Sequence, residues 1–495
     1  MTCTVFLLLI GLFGCSPQTP EKPNLVIIYM DDLGYGDVSA YGSGTLPTPN
    51  IDKLASEGLR FTSGYCTSAT CTPSRYAMLT GQYPWRNERA AILAGDAPLL
   101  IDPRQPTLPK MLAENGYKTS VIGKWHLGIG DGKVDWNREI ELTPNAVGFD
   151  YSYVMAATND RVPTVYVENH KVAGLSPEDP LQVSYKENFE GEPTGRDNPE
   201  LLKLRWQHGH NFSIWNGIPR IGYQKGGKSA MWIDEDMADN FLDRALSYIE
   251  ENQNETFFLY YALQQPHVPR TPHPRFSGLS GMGPRGDAII EADWCIGQVM
   301  AKLRELKLDR NTLVIFSSDN GPVLNDGYYD DAVEKIGDHT PSGPYRGGKY
   351  SLFNAGTNVP FITWWPGQIE PGISDALVCQ IDFMASIASY LGVKNTGPDS
   401  ENMIDALLGK SSSGRTDLVL EANRNVAYRS GNYLLIPPYE GLAVQPNVNI
   451  ETGLAPEYQL YDIYADRGQV NNLAGEMPEK LNELKDEFAS RIGKK

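Results

Sequence analysis

The apolar positions of the chain fall into short runs that predict buried strands. Residues 24–30, 257–263 and 312–318 are almost continuously hydrophobic, with many β-branched and aromatic side chains. A strand exposed on one face alternates apolar and polar residues, whereas a strand covered on both faces does not. These runs therefore predict the centre of a mainly parallel sheet, with residues 117–122 and 359–367 as further strands.

Segments with helical spacing separate these strands. They cover residues 50–58, 109–116, 234–249, 288–306 and 478–492. The first is expected to be capped near Asn50 and to end at Gly58, because Asn is a good N-cap and Gly commonly ends a helix. Strands that alternate with helices are typical of an α/β fold with helices on the faces of the sheet.

Two regions depart from this alternation. Residues 130–235 are irregular and rich in Pro, Gly and Asn, which predicts long insertions over the active face of the sheet. A Ser/Gly-rich break at 410–414 precedes short strand-like runs and the last helix, which predicts a small α+β unit. The predicted division is a leader and tether at 1–22, a catalytic domain at 23–410 and a C-terminal α+β subdomain at 411–495.

The first fifteen residues are apolar but too short to span a bilayer as a permanent helix. Their end, Leu12-Phe13-Gly14-Cys15, resembles a bacterial lipoprotein cleavage box. We therefore expect an exported protein, in the periplasm or on the outer membrane of a Gram-negative bacterium, attached to the membrane through a lipidated Cys15. Ordinary signal cleavage is the alternative.

The composition and charge of the chain limit the classes of function that fit it. The chain has 495 residues, of which 41% are hydrophobic, and can bury a large core. Its formal net charge of −18 argues against a nucleic-acid partner, since phosphate binding needs a basic face. The four cysteines after Cys15 do not form a disulfide framework for a chain of this length.

Hard oxygen donors follow two of the predicted strands. Asp31 and Asp32 come directly after residues 24–30, and Asp319 and Asn320 come directly after residues 312–318. Ligands of α/β sheets bind outside the carboxyl ends of the strands. Carboxylate and amide oxygens suit Ca²⁺ or Mg²⁺ rather than zinc, so these four residues predict one such cation site.

Cys71 is a candidate reactive residue. Pro73 is suited to the first turn of a helix, which places Cys71 at the positive end of a helix dipole, with Arg75 nearby. Such a position favours an anionic reacting group. The alternative is a structural thiol, or a disulfide with Cys66.

Three further basic side chains follow predicted strands. Lys124 and His126 are two residues apart, so an extended backbone would present both on one side. His267 lies between two prolines, which would hold it on a rigid loop as a proton donor.

The insertion offers candidate sugar-binding groups. Asp160 and Arg161 place an acid beside a guanidinium, which suits a bidentate grip on sugar hydroxyls, and His208 and His210 add two imidazoles. The alternative is that these residues form loop salt bridges and caps.

The stretch Cys71–Gly81, Cys-Thr-Pro-Ser-Arg-Tyr-Ala-Met-Leu-Thr-Gly, resembles the signature of type I sulfatases. Three other blocks resemble the same family: Asp-Asp-Leu-Gly-Tyr-Gly-Asp at 31–37, Gly-Lys-Trp-His-Leu-Gly at 123–128 and Arg-Gly-Gly-Lys at 346–349. The resemblance implies an α/β, alkaline-phosphatase-like fold: a large mixed, mostly parallel sheet flanked by helices, with a smaller C-terminal α+β subdomain.

In this family the cysteine is oxidised to formylglycine (3-oxoalanine), whose hydrate attacks sulfur and then expels sulfate. The resemblance implies one Ca²⁺ held by Asp31, Asp32, Asp319, Asn320 and the modified Cys71. It implies that Arg75, Lys124 and Lys349 neutralise the sulfate oxygens, that His267 protonates the leaving sugar oxygen, and that His126 takes a proton from the hydrate. A formylglycine-generating maturation enzyme is then a required partner.

The overall likeness is to the galactose and N-acetylgalactosamine 6-sulfatase branch, where an Asp-Arg pair and a later His contact the axial hydroxyl of the sugar. This implies a sulfated oligo- or polysaccharide substrate and assigns that contact to Asp160, Arg161 and the histidines at 208 and 210. Relatives usually carry Glu and Arg where this chain has Asn354 and Asn358, which we interpret as an ion pair replaced by amides.

Two alternatives belong to other classes of function. One is a phosphatase or phosphodiesterase of the same superfamily, which would need zinc ligands and a Ser or Thr nucleophile. The other is a calcium-dependent sulfoglycan-binding protein with an unconverted Cys71.

Overall fold

The computed structural model describes residues 22–42 and 44–493. The predicted leader and Cys15 lie outside the described residues, so export and lipidation remain predictions. Within the described ranges, no helix combines the length and the apolar character needed to cross a membrane.

The strands in chain order are β1 Asn24–Met30, β2 Leu59–Phe61, β3 Gly64–Tyr65, β4 Lys118–Lys124, β5 Tyr151–Met155, β6 Tyr166–Glu168, β7 Lys171–Val172, β8 Gln182–Ser184, β9 Ile214–Trp215, β10 Ile218–Pro219, β11 Tyr223–Lys225, β12 Phe257–Ala262, β13 Thr312–Ser318, β14 Phe361–Trp364, β15 Gly372–Ser374, β16 Val378–Cys379, β17 Asp417–Ala422, β18 Asn425–Ser430, β19 Tyr433–Ile436, β20 Val444–Gln445, β21 Ile450–Glu451 and β22 Gln459–Asp462. The helices are α1 Pro49–Glu57, α2 Cys71–Thr80, α3 Leu108–Glu114, α4 Met237–Glu251, α5 Gly283–Glu305, α6 Phe383–Leu391, α7 Ile404–Leu407 and α8 Pro478–Gly493.

The central sheet has the strand order β15-β2-β14-β13-β1-β12-β4-β5-β6-β7 across the described residues. Its middle, from β13 to β5, is parallel, and antiparallel pairs flank it on both sides. In register, Ile27 of β1 lies opposite Tyr260 of β12 and Ile315 of β13. The predicted α/β fold with a mixed, mostly parallel sheet is confirmed.

The continuous apolar run of β1 has a direct structural cause. Leu25, Ile27 and Tyr29 belong to one hydrophobic cluster, while the intervening side chains Val26 and Ile28 belong to another on the opposite face. Because successive side chains of a strand point to opposite faces, a strand with a core on each side needs apolar residues at every position.

The start of α1 differs from the prediction of an Asn50 cap. The helix begins at Pro49, and the backbone N–H groups of Asn50 and Ile51 donate to the carboxylate of Asp293, on α5, at 3.0 and 2.8 Å. The Asn50 side chain also donates to Asp293, at 2.7 Å. A side chain from a neighbouring helix therefore satisfies the free N–H groups of the first turn.

The region 130–235 is more regular than its composition predicts. It contributes β5 as a parallel neighbour of β4, and β6 and β7 extend the same sheet. The segment with β8 to β11 forms short pairs outside the central sheet. The insertion is therefore part of the main body, and its first strand continues the parallel register.

The C-terminal part forms an antiparallel sheet in the order β17-β18-β19-β22, in the described residues, with α8 packed on β18 and β19. The backbone of Glu421 on β17 joins this sheet to the loop before α2: its N–H donates to the Thr67 carbonyl at 2.9 Å and its carbonyl accepts from the Ala69 N–H at 2.8 Å. The predicted domain boundary at residue 410 stays a prediction.

Candidate active site

Four neighbouring parallel strands deliver the predicted residues to one edge of the sheet. β1 lies between β13 and β12, and β12 lies beside β4. All four run in the same direction, so their carboxyl ends meet. The last residue of β4 and the loops that leave these ends carry the predicted side chains: Asp31 and Asp32, Asp319 and Asn320, Lys124 and His126, and His267.

Three carboxylates converge on Cys71. Oxygens of Asp31, Asp32 and Asp319 and the Cys71 sulfur all lie within 4.8 Å of one another, and all four side chains are buried. Asn320 donates its amide to Asp32 Oδ1 at 2.7 Å, while its own Oδ1 is buried without a partner among the described residues. An orphaned amide oxygen beside three carboxylates is a hard donor set, which fits the predicted calcium ion.

Cys71 is the first residue of α2 and is 2% exposed. Its sulfur lies 3.7 Å from Asp31 Oδ1, and burial raises the pKa of the thiol well above its usual value. A thiol that stays protonated is a weak nucleophile. In the described part of the chain Cys66, Cys71, Cys295 and Cys379 are free, so the alternative of a Cys66–Cys71 disulfide is wrong.

Arg75 has a different neighbour from the one expected. Its Nε and Nη2 lie 2.9 and 2.8 Å from Asp319 Oδ2, and its Nη1 donates to the Lys124 carbonyl and the Tyr260 hydroxyl at 3.3 and 3.1 Å. The guanidinium is fully buried. It therefore holds Asp319 and the end of β4 in place, and its hydrogen bonds are directed at protein groups.

Two lysines contact the carboxylate cluster. Lys124 Nζ donates to Asp31 Oδ2 at 2.6 Å, and Lys349 Nζ donates to Asp32 Oδ2 at 2.9 Å. Lys349 also donates to Asp326 at 2.8 Å. Asp326 was not predicted, because it lies in a loop without periodicity and belongs to none of the family blocks.

His126 does not continue the strand as the sequence suggested. β4 ends at Lys124, and His126 has a left-handed backbone with φ of 55°. Its Nε2 lies 3.1 Å from the Leu93 carbonyl, and its buried Nδ1 has no partner within the described ranges. Burial, together with Lys124 and Arg161, lowers the pKa of His126 well below its usual value, so the ring is neutral and Nδ1 carries a free lone pair.

His267 faces the carboxylates. Its Nδ1 donates to the Val268 carbonyl at 2.7 Å, and its Nε2 lies 4.0 Å from Asp32 Oδ2. Burial lowers the pKa of His267, as do the charges of Lys349 and Lys124. The hydrogen bond to Val268 fixes the ring so that Nε2 is directed towards the site.

The predicted sugar-binding residues form a cluster. Asp160 pairs with Arg161 at 2.7 Å and with His210 Nε2 at 2.8 Å. Burial raises the pKa of Asp160, but the Arg161 charge and the His210 hydrogen bond outweigh it and hold this pKa well below its usual value. Asn159, beside Asp160, donates its side-chain amide to the Pro269 carbonyl at 3.1 Å, which places the cluster next to the loop that carries His267.

His208 contacts His210, whereas His210 contacts Asp160 directly. Its carbonyl accepts from His210 Nδ1 at 2.8 Å, while its ring contacts Gln207 and is partly buried. The Gln207 N–H donates to the Gly327 carbonyl at 2.8 Å. The segment from Gln207 to His210 therefore joins the insertion to the loop that carries Asp326.

Three residues at the site have a left-handed backbone conformation. Asp32, His126 and Tyr350 have φ of 64°, 55° and 72°. Side chains other than Gly, Asn and Asp rarely adopt this region, and such residues persist where the surrounding structure forces them. The turns after β1 and β4, and after Lys349, are thus shaped to aim functional side chains.

A buried group of acidic oxygens beside cations, at the carboxyl edge of an α/β sheet, is suited to bind a divalent cation together with an anionic ester. The family model described as Sulfatase matches residues 23–393. The chain belongs to the sulfatase family and is a sulfuric ester hydrolase.

Individual relatives agree with this assignment. The chain is 48% identical to an N-acetylgalactosamine-6-O-sulfatase of Bacteroides thetaiotaomicron, over 95% of this chain and 93% of that protein. It is 30% identical to human arylsulfatase A, over 94% of this chain and 87% of that protein. A solved structure from work on glycosaminoglycan metabolism by Bacteroides thetaiotaomicron matches with a TM-score of 0.93 and 48% identity, over 95% of this chain and 99% of that one.

Proposed function

We propose that this sulfatase removes 6-O-sulfate from galactose or N-acetylgalactosamine in a glycosaminoglycan or algal polysaccharide. The observation that carries the proposal is the Asp160–Arg161–His210 cluster beside the carboxylate site. An acid, a guanidinium and an imidazole can together donate to and accept from a single sugar hydroxyl. The name of the relative at 48% identity, an N-acetylgalactosamine-6-O-sulfatase, supports the same substrate.

Enzymes of the sulfatase family normally use a formylglycine and a metal ion. The formylglycine made from Cys71 would supply an oxygen nucleophile that the buried thiol lacks, and Ca²⁺ held by Asp31, Asp32, Asp319 and Asn320 would supply positive charge that polarises the sulfate. Because Cys71 is buried in the folded chain, we infer that the maturation enzyme acts before folding is complete.

The lysines of the chain would hold the sulfate group. Lys124 and Lys349 approach the carboxylate cluster from different elements, the end of β4 and the loop after β13. Each can donate hydrogen bonds to a sulfate oxygen as charge develops there. Arg75 acts as a positioning residue, because its hydrogen bonds keep Asp319 in place.

The two buried histidines would divide the proton transfers. His267 presents Nε2 to the site; because its Nδ1 already donates to Val268, it would act as the imidazolium, which also carries a proton on Nε2, and pass that proton to the leaving sugar oxygen. His126 has an unpartnered Nδ1 and would accept a proton from the nucleophile. Their rings are held by different backbone carbonyls, those of Val268 and Leu93, so each can act in a fixed orientation.

Substrate choice can be tested with epimers. Sulfate release should be measured on 6-O-sulfated N-acetylgalactosamine, its 4-O-sulfated isomer, and 6-O-sulfated N-acetylglucosamine, which differs only in the configuration at C4. We expect kcat/KM to be about 10- to 100-fold higher for 6-O-sulfated N-acetylgalactosamine than for the other two substrates, which is the factor that one hydrogen bond to a charged group contributes. Asp160→Asn should reduce this preference, and equal rates on both 6-O-sulfated epimers would refute the assignment of this cluster.

We also propose that the protein is exported and attached to a membrane through Cys15. The support is the apolar run that ends in Leu12-Phe13-Gly14-Cys15. Radiolabelled palmitate should label the wild-type chain made in a Gram-negative host, and Cys15→Ala should abolish the label.

A further inference from the structure

Arg429, on β18, is a buried guanidinium without a counter-charge. It is 1% exposed, and no carboxylate oxygen lies within 4.0 Å of it among residues 22–42 and 44–493. In the described residues the other buried arginines all have such a partner: Arg75 pairs with Asp319, Arg220 with Asp234, Arg270 with Asp330, Arg285 with Asp37 and Arg415 with Asp382.

The hydrogen bonds of Arg429 are long. Its Nη2 lies 3.4 Å from the Ser63 hydroxyl and 3.3 Å from the Tyr464 hydroxyl, and its Nε lies 3.4 Å from the Gly431 carbonyl. Its Nη1 has no partner in the described part of the chain. Good N–H···O bonds measure about 2.7–3.2 Å, so the donors of this buried cation are poorly satisfied.

A cavity of about 210 Å³ adjoins this guanidinium. Arg60 and Arg467 line the same cavity, and none of its described lining residues is acidic. Neither of these arginines has a carboxylate partner in the described ranges. A water molecule takes about 30 Å³, so the cavity has room for a small ion and several waters.

Tyrosine rings form much of the remaining wall and supply no negative charge. The Arg429 guanidinium lies 4.5 Å from the centre of the Tyr65 ring, and that of Arg60 lies 5.0 Å from the centre of the Tyr41 ring. Burial raises the pKa of both phenols well above the usual value, so both stay neutral. Three cations therefore share one cavity in a protein whose net charge is −18.

A buried charge without a partner is costly, by several kcal/mol. Guanidinium groups satisfy this requirement best with an oxyanion, which accepts several N–H groups at once. We propose that the cavity is a second anion site, separate from the catalytic one, that binds a small inorganic oxyanion such as sulfate or phosphate through Arg429, Arg60 and Arg467.

The position of the anion cavity predicts how a bound ion affects the stability of the protein. Arg429 and Tyr464 belong to the C-terminal part, whereas Tyr35 and Tyr345 lie on the loops after β1 and before Lys349. An ion bound between them would connect the C-terminal sheet to the loops that carry the catalytic groups. The bound oxyanion is thus expected to stabilise the folded protein.

Thermal unfolding tests the site. The melting temperature should rise with sodium sulfate, and with sodium phosphate, relative to sodium chloride of equal ionic strength. In Arg429→Met the concentration for half of this rise should increase about tenfold, the value of one charged hydrogen bond. Arg415→Met is the matched control: it removes a buried arginine that has carboxylate partners and should keep the oxyanion response.

Sulfate bound at the catalytic site is distinguished by Lys349→Met. A response that survives Lys349→Met and weakens in Arg429→Met supports the second site, and the ratio of the sulfate and phosphate responses identifies the preferred ion. A response that Lys349→Met abolishes and Arg429→Met leaves intact overturns it, as does the absence of any response. If Arg429→Met does not fold, the exposed Arg467→Gln tests the same cavity.

Crystals grown with selenate locate the ion directly. An anomalous selenium peak within hydrogen-bond distance of Arg429 Nη1 is expected. A peak confined to the lysines of the catalytic site, with only water beside Arg429, would refute the proposal.

Discussion

Lys349 is shared between two carboxylates, Asp32 and Asp326, and Lys124 is bound to Asp31. With Asp319 and Arg75 this gives four carboxylates and three permanent cations, all with side chains at most 12% exposed. With all seven groups ionised, the cluster carries one excess negative charge, which a divalent cation and a singly charged sulfate ester together would neutralise. Interactions between charges are strong at such burial. At the scale of residues, this charge balance supports the proposed pairing of a divalent cation with a sulfate ester.

The role of His267 predicts a dependence on the leaving group. His267→Ala should reduce kcat on a sugar 6-O-sulfate by about 10²–10⁴, because a sugar alkoxide needs protonation as it leaves. Nitrophenyl sulfate should lose far less, since a nitrophenolate leaves without a proton. Initial rates on both substrates check this, and equal losses on the two would contradict a proton-donor role.

Asn320 offers a test of the cation site that does not depend on turnover. Its amide oxygen is buried without a partner in the described residues, so Asn320→Leu should remove a calcium ligand while keeping the volume of the side chain. After treatment with a chelator, adding Ca²⁺ to wild type should raise the melting temperature; a ligand at 100 times its Kd stabilises by about 2.7 kcal/mol.

In Asn320→Leu the half-saturating Ca²⁺ concentration should rise at least about tenfold, which is 1.4 kcal/mol. The exposed Asp243→Asn, on α4, is the control and should respond like wild type. A Ca²⁺ response that is unchanged in Asn320→Leu would remove Asn320 from the ligand set.

The sequence predicted the members of this cluster that follow strands or lie in family blocks. Asp31 and Asp319 could be placed because the carboxyl ends of parallel strands meet at one edge. Asp326 and the engagement of Arg75 with Asp319 could not be predicted, since both depend on the approach of loops that are distant in the chain. The role of each residue in the reaction remains a prediction.

At the scale of elements, periodicity located the long helices and the buried strands, and their ends depended on tertiary contacts. The prediction for 24–30 coincides with β1, because a strand with a core on both faces leaves an unambiguous pattern. β5 was missed within the insertion, where the flanking Pro, Gly and Asn residues outweighed a five-residue strand. The cap of α1 was misplaced because its acceptor, Asp293, is supplied by α5.

The contribution of Asp293 to the stability of α1 can therefore be measured. Asp293→Ala should lower the free energy of unfolding by about 1–3 kcal/mol, since it leaves the N–H groups of Asn50 and Ile51 without an acceptor. Denaturant unfolding followed by circular dichroism checks this, with Asp243→Ala on the exposed face of α4 as the control. Because the hydrogen bonds of the Asp293 carboxylate go to Asn50 and Ile51 and to no residue of the carboxylate site, kcat of the folded variant should be unchanged, and a large fall in kcat would contradict a purely structural role.

At the scale of the whole molecule, the C-terminal sheet supports the loop that precedes Cys71. The backbone of Glu421 on β17 is bonded to Thr67 and Ala69, just before Cys71, and side chains of α2 and of the C-terminal sheet share one hydrophobic cluster. Sequence patterns predicted a small α+β unit at this end but gave no sign of this backbone pairing, since hydrogen bonds between main-chain groups leave no trace in side-chain periodicity. The position of Cys71 thus depends on residues some 350 positions away along the chain.

The Glu421 side chain makes this connection sensitive to pH. It is 2% exposed, its Oε2 has no partner among the described residues, and burial raises its pKa from 4.5 to about 8. Because the folded-state pKa of Glu421 is above the unfolded value, the contribution of this group to the free energy of unfolding is fully present below about pH 4.5. That contribution is lost as the pH rises towards about 8.

Glu421→Gln removes this titration and keeps the shape of the side chain, so the melting temperature of the variant should exceed that of wild type by several degrees at pH 9 and by much less at pH 5. Scanning calorimetry of both proteins at the two pH values measures the difference, and Glu487→Gln, on α8, controls for the loss of a glutamate charge. A gap between Glu421→Gln and wild type that is the same at pH 5 and pH 9 would show that Glu421 is ionised in the folded protein throughout.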